Sequence, residues 1–180
     1  MAIKIKDKNQ IERMRHAGRI VHTVLEYLRT MVKPGVTTGE LDAAADKKIA
    51  EMGGKALFRG VPNPRAGYPF PACICASVDD EVVHGIPSET RVLQEGSIIS
   101  IDCGVRFEGY CGDATISVPV GEVSDQVRRL LKVTEETLTI AIETIRPGIK
   151  WSHVAAKMQS HVEQNGFSVV TDFVGHGIGT

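Results

Sequence analysis

No run of apolar residues in this chain approaches the roughly 20 needed to cross a bilayer. The start, Met1-Ala2-Ile3-Lys4-Ile5-Lys6, has no apolar signal core either, so a cytoplasmic protein with no membrane partner is the expectation. An excess of either charge is also missing. Lys and Arg number 21 against 22 Asp and Glu, a net charge of -1, which argues against specific DNA binding or a dominant nucleic-acid role. Zinc-knuckle spacing is absent as well. Cys73 and Cys75 stand one residue apart and Cys103 and Cys111 further apart, so no C-x2-C occurs, and buried, reduced thiols are the preferred reading.

What the chain does have is amphipathic periodicity. With 180 residues, 42% of them hydrophobic, it can bury a core as one globular domain or slightly more. Asp7 and Gln10 form a capping box ahead of a helical stripe of Ile11, Met14, Ile20, Val21, Val24, Leu28 and Met31, stopped at Pro34-Gly35. Thr37 and Glu40 offer a second box before Leu41, Ala45, Ile49 and Met52, stopped at Gly53-Gly54. A strand-like run from Ala72 to Val78 follows a loop rich in Pro and Gly. A third helix carries Val127, Leu130, Leu131, Leu138, Ala141 and Ile145; a fourth carries Val154, Met158 and Val162; Phe167 to Val170 read as a strand. His16, His22, His153 and His161 fall within the helical patterns as surface or boundary residues.

The two helix pairs repeat. One gapless shift of 113 residues sets Val32-Lys33-Pro34-Gly35 on Ile145-Arg146-Pro147-Gly148, Leu41 on Val154, Ile49 on Val162 and Gly53 on Gly166. Both stop signals match, which favours duplication over chance.

Between the pairs lies a hairpin. Ile99, Ile101, Cys103 and Val105 alternate with Ser100, Asp102, Gly104 and Arg106; after a turn near Glu108, Tyr110, Gly112, Ala114, Ile116 and Val118 alternate with Cys111, Asp113, Thr115 and Ser117. A two-residue turn makes paired positions add to 215 or 217, and either register aligns the two apolar series. Asp102 then lies opposite or diagonal to Asp113 on one face. Two carboxylates this close repel and destabilise the fold unless a cation lies between them. The alternative is a solvated face with two incidental acids. His176, in Gly175-His-Gly-Ile-Gly179, and His84, before Gly85, sit where glycine displays a side chain. Two carboxylates and such a histidine suit Mn, Fe, Co or Zn better than Ca.

Taken together, these motifs resemble the short bacterial-type methionine aminopeptidases. The likeness runs through Ile11-Glu-Arg-Met-Arg15, Ala17-Gly18, Val32-Lys-Pro-Gly-Val-Thr-Thr-Gly-Glu-Leu41, Val83-His-Gly-Ile-Pro87, Ile101-Asp102, Gly112-Asp113 and Gly175-His-Gly-Ile-Gly179. It implies an α+β, pita-bread fold of two pseudo-twofold-related halves, forming one catalytic domain over residues 1–180. The first half would be complete to about residue 122, with the second, from about residue 123, lacking its last strands. It also implies two divalent metal ions (Co, Mn, Fe or Zn), with Asp102 chelating, Asp113 bridging and His176 a ligand to one metal. His84 would be the non-ligand histidine that hydrogen-bonds the substrate near the scissile peptide, and Phe70 and Cys75 would line the methionine pocket. Core packing is the plainer reading of those last two residues.

Two further glutamate ligands and another histidine of the family pattern would lie beyond Thr180, so an incomplete, weakly active or inactive fragment is expected. By the repeat, the counterparts of Asp102 and Asp113 would fall at positions 215 and 226. The loop from Pro62 to Tyr68 is longer than the usual one before Phe70-Pro71. The implied partners are the N-terminal Met of nascent polypeptides and, through Lys4, Lys6, Lys8, Arg13, Arg15 and Arg19, ribosomal RNA, although a solvated helix face is the preferred reading of those charges. Three other functions compete: a non-catalytic pita-bread module that binds peptides or a partner, a proline-specific relative, which the short N-terminus disfavours, and a cysteine hydrolase using Cys75 or Cys103 with His84.

Overall fold

The computed structural model describes residues 4–63 and 66–180; Met1, Ala2 and Ile3 and, within the Pro62 to Tyr68 loop, Pro64 and Arg65 lie outside the described residues. The element order is α1 (Lys8–Met31), α2 (Thr38–Glu51), β1 (Lys55–Ala56), β2 (Ile74–Val78), β3 (Ile98–Phe107), β4 (Tyr110–Pro119), α3 (Asp125–Thr144) and α4 (Trp151–Gln164). Two compact units result: Met1–Val123 with Gly177–Thr180, and Ser124–His176.

Both expected capping boxes form. Asp7 accepts from the Gln10 amide while the Gln10 side chain returns to the Asp7 amide, and Thr37 and Glu40 do the same for α2. Each box satisfies two helix-end donors that would otherwise be orphaned.

In the first unit the four strands form one antiparallel sheet. β3 pairs with β4 on one side and with β2 and β1 on the other. The hairpin turns at Glu108-Gly109, both with positive φ (46° and 84°), as a two-residue turn of matching twist requires. Phe107 pairs with Tyr110, so the register is the one in which positions add to 217. Ile74, Ala76, Val78, Ile99, Ile101, Cys103 and Val105 face the core, against Ile20, Val21, Val24 and Leu28 of α1 and Leu41, Ala45 and Ile49 of α2. The opposite face is left for polar side chains. This two-layer build explains why the alternation was so clean: one face meets helices and the other does not.

α1 crosses β4 with no room to spare. A Cβ on Gly112 would lie 2.6 Å from the Ala17 carbonyl carbon and 2.7 Å from the Gly18 nitrogen. Those are backbone atoms inside a helix and cannot yield locally. Gly112→Ala is therefore expected to lower the unfolding free energy by about 2–3 kcal/mol through overpacking. Chemical denaturation would show it, and a loss under about 0.5 kcal/mol would mean α1 does not rest on β4 this closely.

The internal repeat survives at the backbone level. α2 and α4 each span 14 residues and begin 113 positions apart, and α1 and α3 end at Met31 and Thr144, also 113 apart. Val32 and Ile145, the two C-caps, have nearly equal dihedrals (φ -66°, ψ 113° and φ -64°, ψ 118°). Gly35 and Gly148 match at φ 91° and 86°, Gly53 and Gly166 at 73° and 77°. The side-chain cap is not repeated: Lys150 replaces Thr37 and caps α4 with no side-chain bond. Shared stops with an unshared cap are what divergence from one ancestral helical hairpin leaves behind.

One expected element does not form. Phe167 to Val170 is irregular and mostly exposed, with no strand beside it among the described residues. A β-branched apolar run can be a strand only where a neighbour supplies the ladder. The two-residue β1, pairing Lys55 with Arg106 and Ala56 with Val105, went unread because so short a run has no period.

Candidate metal centre

The polar face of the sheet presents its side chains in rows. Ser77, Ser100 and Ser117 align across β2, β3 and β4; Cys75, Asp102 and Thr115 form the next row; Gly104 and Asp113 the next; Arg106 and Cys111 the last. Asp102 and Asp113 are thus diagonal neighbours, as the register demands. Both carboxylates are half-buried, and their side chains lie within hydrogen-bonding reach of each other.

The electrostatics follow from that crowding. Burial raises the Asp102 carboxyl first and the neighbouring Asp113 charge adds to it, while a Thr115 hydrogen bond and the His84 side chain oppose; the result is about 6. Gly104 admits no side chain in its row, because Phe58 and Leu57 pack against it. A Cβ would lie 2.7 Å from Phe58 Cε1 and 3.3 Å from Leu57 Cβ.

Phe58 belongs to an apolar cluster with Phe70, Ala72 and Cys75. Since Cys75 pairs with Asp102 and Phe58 covers Gly104, this cluster adjoins the acidic pair directly. Two expected pocket residues, Phe70 and Cys75, are therefore brought together and set beside the acids. Phe58 was missed, and nothing in its local sequence marks it. Thr115 was also missed, although it shares the two-residue period of Asp113 and could have been found that way.

His84 has a left-handed backbone (φ 61°), is exposed, and acts electrostatically on Asp102. His176 is the last residue of the second unit, also exposed. The residues after it belong to the first unit, where the Cys111 amide donates to the Gly179 carbonyl at 2.8 Å. Among the described residues no group of three or more His, Cys, Asp and Glu side chains is arranged to hold a metal. The acidic pair is therefore the nucleus of the candidate centre. Its donor set fits a divalent ion: oxygen ligands in a half-buried site whose mutual repulsion a cation would relieve.

The thiols are poor nucleophiles. Burial, reinforced by Asp102 and Asp113, pushes both Cys75 and Cys103 up to about 12, so neither is a thiolate at neutral pH. Cys103 also faces the core, away from the acids. All four cysteines are buried and free of disulfides.

A pH effect follows. The unfolded Asp102 carboxyl titrates near its ordinary 3.8 and the folded one near 6, so the folded state binds the extra proton between those values. Stability from this group falls as pH rises through about 4 to 6, and the penalty is complete above that window. Discounted for partial exposure it is about 1–2 kcal/mol, or about 3–6 °C in Tm. Metal-free Asp102→Asn should accordingly melt higher than the parent at pH 7 but not at pH 4. Equal differences at both pH values would refute the pairing.

Residues 12–180 match the model of metallopeptidase family M24. A methionine aminopeptidase of Clostridium acetobutylicum is 44% identical over 177 residues, covering 98% of this chain and 68% of that protein. The crystal structure of a methionine aminopeptidase from Thermotoga maritima superposes with a TM-score of 0.92 at 37% identity, covering 99% of this chain and 69% of that one. An Xaa-Pro dipeptidase from Bacillus anthracis, 22% identical, shares the fold with a TM-score of 0.78, over 97% of this chain and 46% of its own.

Proposed function

Because this chain belongs to metallopeptidase family M24, with methionine aminopeptidases as its relatives and their pita-bread fold, we propose that it removes the N-terminal methionine of nascent polypeptides by hydrolysis assisted by two divalent ions. The observation that carries this reading is the half-buried diagonal pair Asp102 and Asp113 next to an apolar cluster. The family is one of metallopeptidases and implies divalent metal; we propose two ions here, drawn from Co, Mn, Fe or Zn.

Each residue has a task in it. Asp102, Asp113 and His176 are the residues that would hold the ions. Divalent ions at such a site supply an acidified water and polarise a carbonyl, lowering the barrier by several kcal/mol. Thr115 keeps Asp102 oriented by its hydrogen bond. His84 meets the substrate backbone near the scissile bond. Phe70 and Cys75, with Phe58, form the apolar wall that receives an unbranched methionine side chain.

We further propose that a polypeptide of these 180 residues turns over weakly, since it offers three of the five ligands that the resemblance calls for. No helix among the described residues is long and apolar enough to cross a membrane, and work on nascent chains suits a cytoplasmic enzyme. Contact with ribosomal RNA would rest on Lys4, Lys6, Lys8 and Arg19. Two other basic residues, Arg13 and Arg15, already pair with Glu108 and Glu12, which supports a solvated face instead. Cosedimentation that fails at low salt would favour that plainer reading.

The test is hydrolysis of Met-Ala-Ser against Leu-Ala-Ser and Met-Pro-Ser, with added Mn, Co or Fe and then with chelator. Release of methionine from the first peptide, lost on chelation, is expected. Activity that survives chelation but disappears on thiol alkylation would indicate the cysteine hydrolase instead. Metal binding without any turnover, even with a supplied C-terminal segment, would leave the non-catalytic binding module as the better reading.

A further inference from the structure

From the way the loop before Pro87 is fastened to β2, we infer that Ser77 is a positioning residue that fixes His84. Ser77 is, with Thr38, one of the few polar side chains buried among the described residues, at 4% exposure. It pairs with Ser100 and faces the same side of the sheet as Cys75 and Asp102. Its hydroxyl oxygen accepts from the Gly85 amide at 3.1 Å, while the Gly85 carbonyl accepts from the Ala76 amide at 2.9 Å. Gly85, one residue beyond His84, is thereby clamped through both its amide and its carbonyl.

The clamp is tight. A Cβ at Gly85 would lie 2.4 Å from the Ala76 oxygen and 2.8 Å from the Ser77 Cα, so the backbone runs directly against β2. His84 takes up the strain, with φ at 61°. A left-handed histidine is strained and persists only where its surroundings over-determine it. Here the two bonds on Gly85 supply part of that over-determination. Without the hydroxyl, the buried Gly85 amide loses its partner and the cheapest repair is for the loop to lift. His84 then relaxes to an ordinary φ and leaves the neighbourhood of Asp102.

The role assigned to His84 rests on the proposed function, whereas the fastening does not, and the test separates them. Nuclear magnetic resonance on the 180-residue chain compares the parent with Ser77→Ala and with Ser77→Cys, which keeps the volume but is a poor acceptor. The expected result is amide exchange at Gly85 at least about tenfold faster in both variants. The HN–Hα coupling and Cα shift of His84 should also leave their left-handed values, while exchange in β3 is unchanged. If His84 keeps its left-handed signature in both variants, the inference is wrong. If Ser77→Ala alone unfolds, Ser77→Cys still decides.

The second arm is kinetic, run on the chain supplied with a C-terminal segment. Ser77→Ala should lower kcat for Met-Ala-Ser about tenfold with KM nearly unchanged, and should add less than twofold in a His84→Ala background. Full additivity in that double variant would show Ser77 acting other than through His84. A resonance result as expected with no turnover in any preparation would refute the proposed function and leave the fastening intact.

Discussion

Replacing Asp113 with Asn is expected to lower turnover of Met-Ala-Ser by about a thousandfold or more in any preparation that hydrolyses it. The substitution keeps shape and hydrogen-bonding size but removes the charge that both ions would share. Asp113 sits diagonally from Asp102 with Gly104 directly across, so no other acid on that face can replace it. Asp102→Asn should be nearly as damaging. The two losses should not add, because either one dismantles the same site. Both variants should fold, and without metal Asp102→Asn should be the more stable at neutral pH, since it relieves a carboxyl held at about 6. A variant that loses activity while gaining stability is hard to explain by misfolding. Retention of more than a tenth of the parent activity in Asp113→Asn would remove that residue from the metal site.

The second large effect concerns complementation. Alone, the 180-residue polypeptide should hydrolyse Met-Ala-Ser at least about a thousandfold more slowly than when supplied with the remaining segment of a relative such as the Clostridium acetobutylicum protein, of which it matches 68%. In the proposed site, Asp102, Asp113 and His176 by themselves would hold metal only loosely. The second unit also exposes Leu138, Ile142, Trp151 and Val174, and apolar surface of that kind favours association. Dilute samples with the segment added in trans are therefore the right assay. Equal turnover with and without the segment would show that these residues assemble a working site by themselves.

Much of this was legible in the residues. The hairpin was readable because its two faces meet different surroundings: Ile99, Ile101 and Cys103 enter a helix-backed core while Asp102 and Ser100 do not. Parity then aligned Asp102 with Asp113 without any knowledge of the fold. The helix pairs announced themselves through capping boxes and glycine stops, both of which are local. What escaped depended on contacts distant in sequence. Phe58 matters because it lies over Gly104, and Ser77 because Gly85 returns to β2. Phe167 to Val170 was misjudged for the converse reason: its composition suits a strand, but pairing needs a neighbour.

Anomalous scattering from crystals of the chain grown with Mn or Co would show whether Asp102 and Asp113 together bind divalent metal. An anomalous peak is expected within coordination distance, about 2.0–2.3 Å, of carboxylate oxygens from both residues. That peak should disappear in Asp113→Asn crystals grown alongside. Metal found only elsewhere, with the two carboxylates still facing each other across the sheet, would contradict it.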